Sequence, residues 1–224
     1  MRIVFVHCPK TAGCAVSRAI GGCHSPSRNP LVRDGHLSIL RYAGDLDDTF
    51  VFTVARNPWD RLVSCYRFAS ARTEGNPKAY WLQRHSCFRD FVMYIMQINE
   101  EFGLGGEKAF ADEPEKLKRS LEKCHLRNIV DCISLDGGVR ADFVCNFGSL
   151  EEDWRVVSEF IGIDASLDVV NAAPSRTDYR DFYDDELAEI VGKIYSCDIE
   201  YFGYRFDNSS AFVYRHAFRQ RPDQ

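Results

Sequence analysis

Two short apolar runs constrain this 224-residue chain more than any other feature. Ile3-Val4-Phe5-Val6 and Phe50-Val51-Phe52-Thr53-Val54-Ala55 are rich in branched and aromatic residues and lack a polar alternation. Each suits a strand buried on both faces, as in a parallel sheet. The first run ends in a loop over residues 7–13, holding Pro9 and Gly13, and a helix is expected over 14–20, stopped by Gly21-Gly22. The second passes into Arg56-Asn57-Pro58. Asn57 is a good N-cap, and Pro58 at the first helical position has no amide hydrogen to leave unpaired. Leu62, Val63, Tyr66 and Phe68 then give residues 59–70 an approximate helical stripe. Two strand–loop–helix units predict an α/β fold of three layers. A central parallel sheet is flanked by helices, with a ligand at the carboxyl ends of the strands.

The rest of the chain fits that frame. Residues 23–35 read as a surface loop, 36–42 as a short amphipathic piece and 71–85 as a polar loop. A helix is expected over 88–101, then a break over 103–114 suited to a lid. Residues 125–135 read as a short helical or extended segment, and 141–146 as a further strand. Helices are expected over 184–195 and over 150–161, where Glu151, Glu152 and Asp153 occupy the first turn that the dipole favours for acids. Residues 171–177 form a loop around Pro174, and 198–204 an aromatic-rich closing segment. With no repeat or linker, one domain over 1–224 is the simplest reading, and the length suits one core better than two.

Composition narrows the function. A formal net charge of −5 leaves no broad basic field for nucleic acid, so an anion must be met by a local patch. The nine cysteines are scattered, with no C-x-x-C pair and no Cys/His group at zinc spacing. Cys8, Cys65 and Cys145 lie in apolar runs and read as small buried hydrophobes. No metal site is expected, and a reducing compartment fits best. The run after Arg2 is too short for a signal core, and no stretch approaches the roughly 18 to 20 apolar residues of a membrane span. A cytoplasmic location is therefore expected.

The two loops carry the chemistry. In the first, backbone amides at a helix start and the ammonium of Lys10 form a ready anion site. Lys10 precedes Gly13, whereas a Walker loop places lysine after its second glycine, so the ATPase pattern fails. By itself the segment also reads as a plain strand-to-helix turn. In the second loop, Arg56 leaves a strand end and Ser64 lies on the following helix. A guanidinium and a hydroxyl so placed can hold one phosphate. The alternative gives Arg56 to a structural ion pair and Ser64 to a bond back onto its helix.

Phe5-Val6-His7-Cys8-Pro9-Lys10-Thr11-Ala12-Gly13 and Arg56-Asn57-Pro58-Trp59-Asp60-Arg61-Leu62-Val63-Ser64-Cys65-Tyr66 together resemble one family. It is the superfamily of sulfotransferases dependent on 3′-phosphoadenosine 5′-phosphosulfate (PAPS), in its glycan-type, family 2-like branch. The first segment is similar to that family's 5′-phosphosulfate loop and the second to its 3′-phosphate loop. The likeness continues through 147–154, 178–183 and 198–204 and is poor over 70–120. It implies a P-loop NTPase-like sulfotransferase fold and PAPS as donor, with 3′-phosphoadenosine 5′-phosphate as product. The implied acceptor is a glycan or small molecule sulfated at a hydroxyl or amine.

The resemblance also implies roles. Lys10 would contact the bridging oxygen and the 5′-phosphate. Pro9, Thr11, Ala12, Gly13, Cys14 and Ala15 would form the loop around that phosphate. Arg56 and Ser64 would bind the 3′-phosphate, with Arg176 a second contact from the segment that closes over the nucleotide. His36, in Gly35-His36-Leu37, is similar to the family's catalytic base. Imidazole titrates near neutrality and can take a proton from an attacking hydroxyl. The alternative for His36 is a loop histidine bonded to backbone. His7 reads as a brace for the first loop, and His125 as an acceptor contact or a solvent-facing side chain.

The transfer would be in-line, with a loose transition state and charge building on the leaving oxygen beside Lys10. One departure stands out: the family usually carries hydroxyl residues where this chain has Cys14 and Ala15, with Ser17 further along as a partial substitute. That supports a rival reading, a catalytically weak nucleotide-binding homologue. A small-molecule kinase on a P-loop-like sheet is the other rival, and its Walker lysine and strand-end carboxylates are not evident.

Overall fold

The computed structural model describes residues 2–21, 39, 46, 48–70, 85–102, 125–168 and 177–207. Strands β1 (Arg2–Val6), β2 (Thr49–Ala55) and β5 (Phe143–Asn146) form a parallel sheet with β2 in the middle. Val6 pairs with Thr53 and Ala55 with Asn146, which brings the carboxyl ends of all three strands to one edge.

Side chains alternate across the pleat into two separate cores. Val4, Val6, Val51, Ala55 and Val144 face one layer, and Phe5, Phe50, Phe52, Val54 and Cys145 face the other. Both faces are buried, which is why the strand sequences show no polar alternation. On the phenylalanine side lie α1 (Gly13–Ala19) and α5 (Leu150–Ile161), packed through Val16, Trp154 and Val157. On the valine side lie α2 (Pro58–Ser70), α3 (Phe88–Phe102), α4 (Ile129–Ile133), α6 (Asp185–Ile194) and α7 (Ser196–Phe202). Leu62, Phe91, Ile129, Val191 and Phe202 carry that packing. The predicted three-layer α/β architecture is the one observed.

Two segments resolve beyond the sequence reading. The stretch at 125–135 is helical and then extended: α4 runs into β3 (Ser134–Leu135), which pairs antiparallel with β4 (Gly138–Val139). Asp136 and Gly137 between them both have positive φ, the backbone of a tight two-residue hairpin turn. The aromatic-rich closing segment is a helix, α7, because Asp198 and Phe202 lie one turn apart on a single buried face. It ends at Gly203 with φ 71, a left-handed cap that glycine adopts without strain.

Among the described residues, no helix is long and apolar enough to cross a membrane. The pieces expected at 23–35, 36–42, 71–85, 103–114 and 171–177 fall largely or wholly outside the described residues.

Candidate active site

The common strand edge gathers three loops. In the first, Lys10 and Ala12 both adopt left-handed backbone, with φ of 64 and 63. Each such residue bearing a Cβ costs about 1–3 kcal/mol and persists only where its surroundings enforce it. Two contacts supply that enforcement. The Thr11 hydroxyl, fully buried, donates to the Cys8 carbonyl at 2.8 Å. Gly13 lies against the His7 ring so closely that a Cβ there would fall 1.9 Å from His7 Cδ2. His7 itself stacks on Phe5 at 5.7 Å between centroids, so it braces the loop as predicted.

The Ala12 carbonyl accepts from Ala15 N at 2.9 Å and starts α1. The amides of Thr11, Ala12, Gly13 and Cys14 donate to no carbonyl among the described residues. A run of unpaired amides on alternating left-handed backbone is the main-chain form of an anion site.

The second loop is held by side chains. Asn57 Oδ1 accepts from Trp59 N at 3.0 Å and from Asp60 N at 3.4 Å, the predicted cap of α2. Its Nδ2 donates to the Arg205 carbonyl at 2.9 Å, tying the loop to the far end of the described chain. Arg56 donates from Nε and Nη2 to the Asp60 carboxylate at 2.7 and 2.8 Å. Arg56 Nη1 donates to the carbonyl of Lys10 at 3.0 Å, so the two loops are bonded directly to each other.

Each cation also rests on an aromatic face. The Arg56 guanidinium is 4.0 Å from the Phe147 ring centroid, on the loop after β5. Lys10 Nζ is 3.9 Å from that of Phe68, on α2.

A sequence model of the sulfotransferase family matches residues 3–205. The chain belongs to the sulfotransferase family, in its family 2-like branch. No curated protein and no solved structure matches it. The match covers the three parallel strands and both loops, and the enzyme is a sulfotransferase on an α/β three-layer sulfotransferase fold.

The structure places the expected site residues of the sulfotransferase unevenly. Lys10, Thr11, Ala12, Gly13 and Arg56 come together at the strand edge. Arg56 does form the structural ion pair left open as its alternative, yet among the described residues one N–H on each terminal nitrogen has no partner, and the side chain is 14% exposed. Ser64 is half-buried one turn before Phe68, and its hydroxyl makes no hydrogen bond among the described residues, so the back-bond to the helix is absent. Cys14 is half-buried and Ala15 buried; neither brings a hydroxyl. The Thr11 hydroxyl already has a partner, so Thr11 offers the loop its amide. Ser17 is fully buried with its Oγ unpartnered among the described residues, out of reach as a substitute donor. His36 and Arg176 lie outside the described residues.

Three contributors to this edge went unread in the sequence of the sulfotransferase: Asp60, Phe68 and Phe147. Asp60 follows Arg56 by four positions, a visible charge-pair spacing. The two rings carried no local signal, because their contacts cross between elements. Behind the edge lies a buried polar network. Arg61 donates from Nη2 to the Arg127 carbonyl at 2.6 Å and sits 3.8 Å from Asp198. The Asp198 carboxylate accepts from Ile129 N and Val130 N, each at 2.9 Å, and so caps α4 from a distant helix. Burial pushes the Asp198 carboxyl up to about 6, against the pull of Arg61 and the two amides. Cys8, Cys65 and Cys145 are buried as predicted, and burial pushes the Cys65 thiol up to about 11.

Proposed function

We propose that the sulfotransferase uses PAPS as its donor, with the first loop on the 5′-phosphosulfate and the second on the 3′-phosphate. The observation that carries this reading is the 3.0 Å bond from Arg56 Nη1 to the Lys10 carbonyl, which puts both cationic loops on one strand edge. The residues present fit a doubly phosphorylated nucleotide. The amides of Thr11 to Cys14 and one N–H on each terminal nitrogen of Arg56, none of them partnered among the described residues, offer main-chain and charged planar donors.

Bound there, PAPS would supply a sulfuryl group on a phosphate leaving group. Lys10 would stabilise the charge that develops on the departing phosphate oxygen. His36 would accept the proton of the attacking group. The acceptor is a hydroxyl or amine of a carbohydrate or small molecule, and the setting is reducing and cytoplasmic. The role of Cys8, Cys65 and Cys145 as packing residues supports that setting.

Thermal shift tests the donor reading. 3′-Phosphoadenosine 5′-phosphate is expected to stabilise the protein well beyond AMP. Labelled PAPS with a panel of glycans, small alcohols and amines is then expected to yield a labelled acceptor. Equal shifts from the two nucleotides would remove the 3′-phosphate site.

One observation favours a second reading. The first loop presents no free side-chain hydroxyl, since Thr11 bonds to Cys8 and the next two side chains are Cys14 and Ala15. A weakly catalytic nucleotide-binding homologue would bind 3′-phosphoadenosine 5′-phosphate and transfer no label.

A further inference from the structure

This inference rests on the PAPS reading above and concerns a residue to which that reading gives no role. Arginine has five N–H donors in a rigid plane and no acceptor. In Arg56, Nε–H and one Nη2–H meet Asp60, at 2.7 and 2.8 Å, and one Nη1–H meets the Lys10 carbonyl at 3.0 Å. Among the described residues, the second N–H on each terminal nitrogen has no partner. The Phe147 ring, 4.0 Å away, supports the guanidinium. A long side chain held in this way has already lost the rotamer freedom that it would otherwise lose on binding a ligand.

The Nη1 bond has a second consequence. The Lys10 carbonyl and the Thr11 N–H share one planar trans peptide and point in opposite directions. A bond that fixes the carbonyl therefore fixes the amide. Lys10 needs that restraint, because its backbone is left-handed with φ 64. The carboxylate of Asp60 is thus connected through one guanidinium to the first donor amide of the other loop.

We propose that Asp60 is a positioning residue for the donor: it aims the remaining N–H pair of Arg56 at the 3′-phosphate and, through the Arg56–Lys10 bond, holds the Lys10–Thr11 peptide in its binding orientation. Asp60 touches no ligand. Its carboxylate is repulsive to a phosphate in the absence of Arg56, so its worth lies in geometry and not in charge.

Calorimetric titration of the full chain with 3′-phosphoadenosine 5′-phosphate and with AMP tests this. The wild type is expected to prefer the 3′-phosphorylated nucleotide. Asp60→Asn keeps size and polarity but loses the charged fork. It is expected to reduce that preference about tenfold, with AMP itself weakened by a smaller factor, because AMP meets the Lys10–Thr11 amide through its 5′-phosphate and never meets the Arg56 fork. Asp60→Glu keeps a carboxylate and is expected to restore most of the preference. Should Asp60→Asn not fold, Asp60→Ser removes the fork and leaves a hydroxyl in the first helical turn.

An unchanged preference in the variant overturns the proposal, as does an increased one, which would mean that removing a negative charge outweighs alignment. Equal weakening of both nucleotides overturns it in favour of a purely structural role. A wild type that binds neither nucleotide overturns the donor reading and this inference together.

Discussion

The first loop offers an anion the main-chain amides of Thr11 to Cys14, shaped by two left-handed residues and by the press of His7 on Gly13. The second loop, in the proposed site, would offer side-chain groups, Arg56 and Ser64, beside the Asn57 cap and the Asp60 fork. The difference teaches where each site is vulnerable. Main-chain donors survive a change of side chain, so Cys14 and Ala15 can stand in the first loop without removing its amides. What that loop cannot tolerate is a change of shape. The second loop would tolerate little change in charge, because its proposed donors are the side chains themselves.

The largest expected effects separate the two loops by kind. Lys10→Ala is expected to cut turnover by about 10²-fold or more while 3′-phosphoadenosine 5′-phosphate still binds. Arg56→Ala is expected to weaken that nucleotide by about 10²-fold, read by titration. If both variants lose binding equally and neither loses turnover beyond that, the division of labour between the loops is broken.

Next in size is Gly13→Ala. Its methyl would overlap the His7 ring, and overpacking of this kind costs about 1–3 kcal/mol. A fall in Tm, relieved when His7→Ala is added, would sharpen the picture of a loop governed by shape. An unchanged Tm would show that the ring gives way freely.

Cys14→Ser adds a hydroxyl to a loop that otherwise works through amides. It is expected to tighten 3′-phosphoadenosine 5′-phosphate by about two- to tenfold, the net worth of one hydrogen bond. A tightening of 10²-fold would show that amides alone are a poor site and would favour the weakly catalytic reading.

The smallest effect is a slope, from the network that anchors α2 behind the second loop. Burial, opposed by Arg61 and two amides, raises the folded-state value for Asp198 to about 6, above the ordinary carboxylate value of the unfolded chain. Between those values the folded state binds more protons. This group's contribution is therefore full below the unfolded value, falls as pH rises through the window and is constant above about 6. Asp198→Asn cannot ionise, so its Tm profile from about pH 4 to 7 is expected to be flatter than that of the wild type. Parallel profiles would assign the slope to other groups.

Much of this was legible in the chain, and the reason is distance along it. The β2 strand read as buried because every residue in it is buried, and the start of α2 was visible because Asn57 caps amides two and three positions on. Arg56 stood out because it follows β2 directly, and Lys10 because it lies in the short loop between β1 and α1. The Arg56–Lys10 bond, the ring of Phe147 under Arg56 and the fit of Gly13 to His7 were not legible. Nor was the capping of α4 by Asp198.

The sequence by itself determined the two strand–loop–helix units, the Asn57 cap ahead of Pro58 and the types of donor each loop would hold, because periodicity and capping act over a few residues. Only the tertiary structure decided that the loops meet. Parallel pairing of Val6 with Thr53 and of Ala55 with Asn146 brings Lys10, Arg56 and Phe147 to one edge, and that pairing is a property of the folded sheet and its two buried faces.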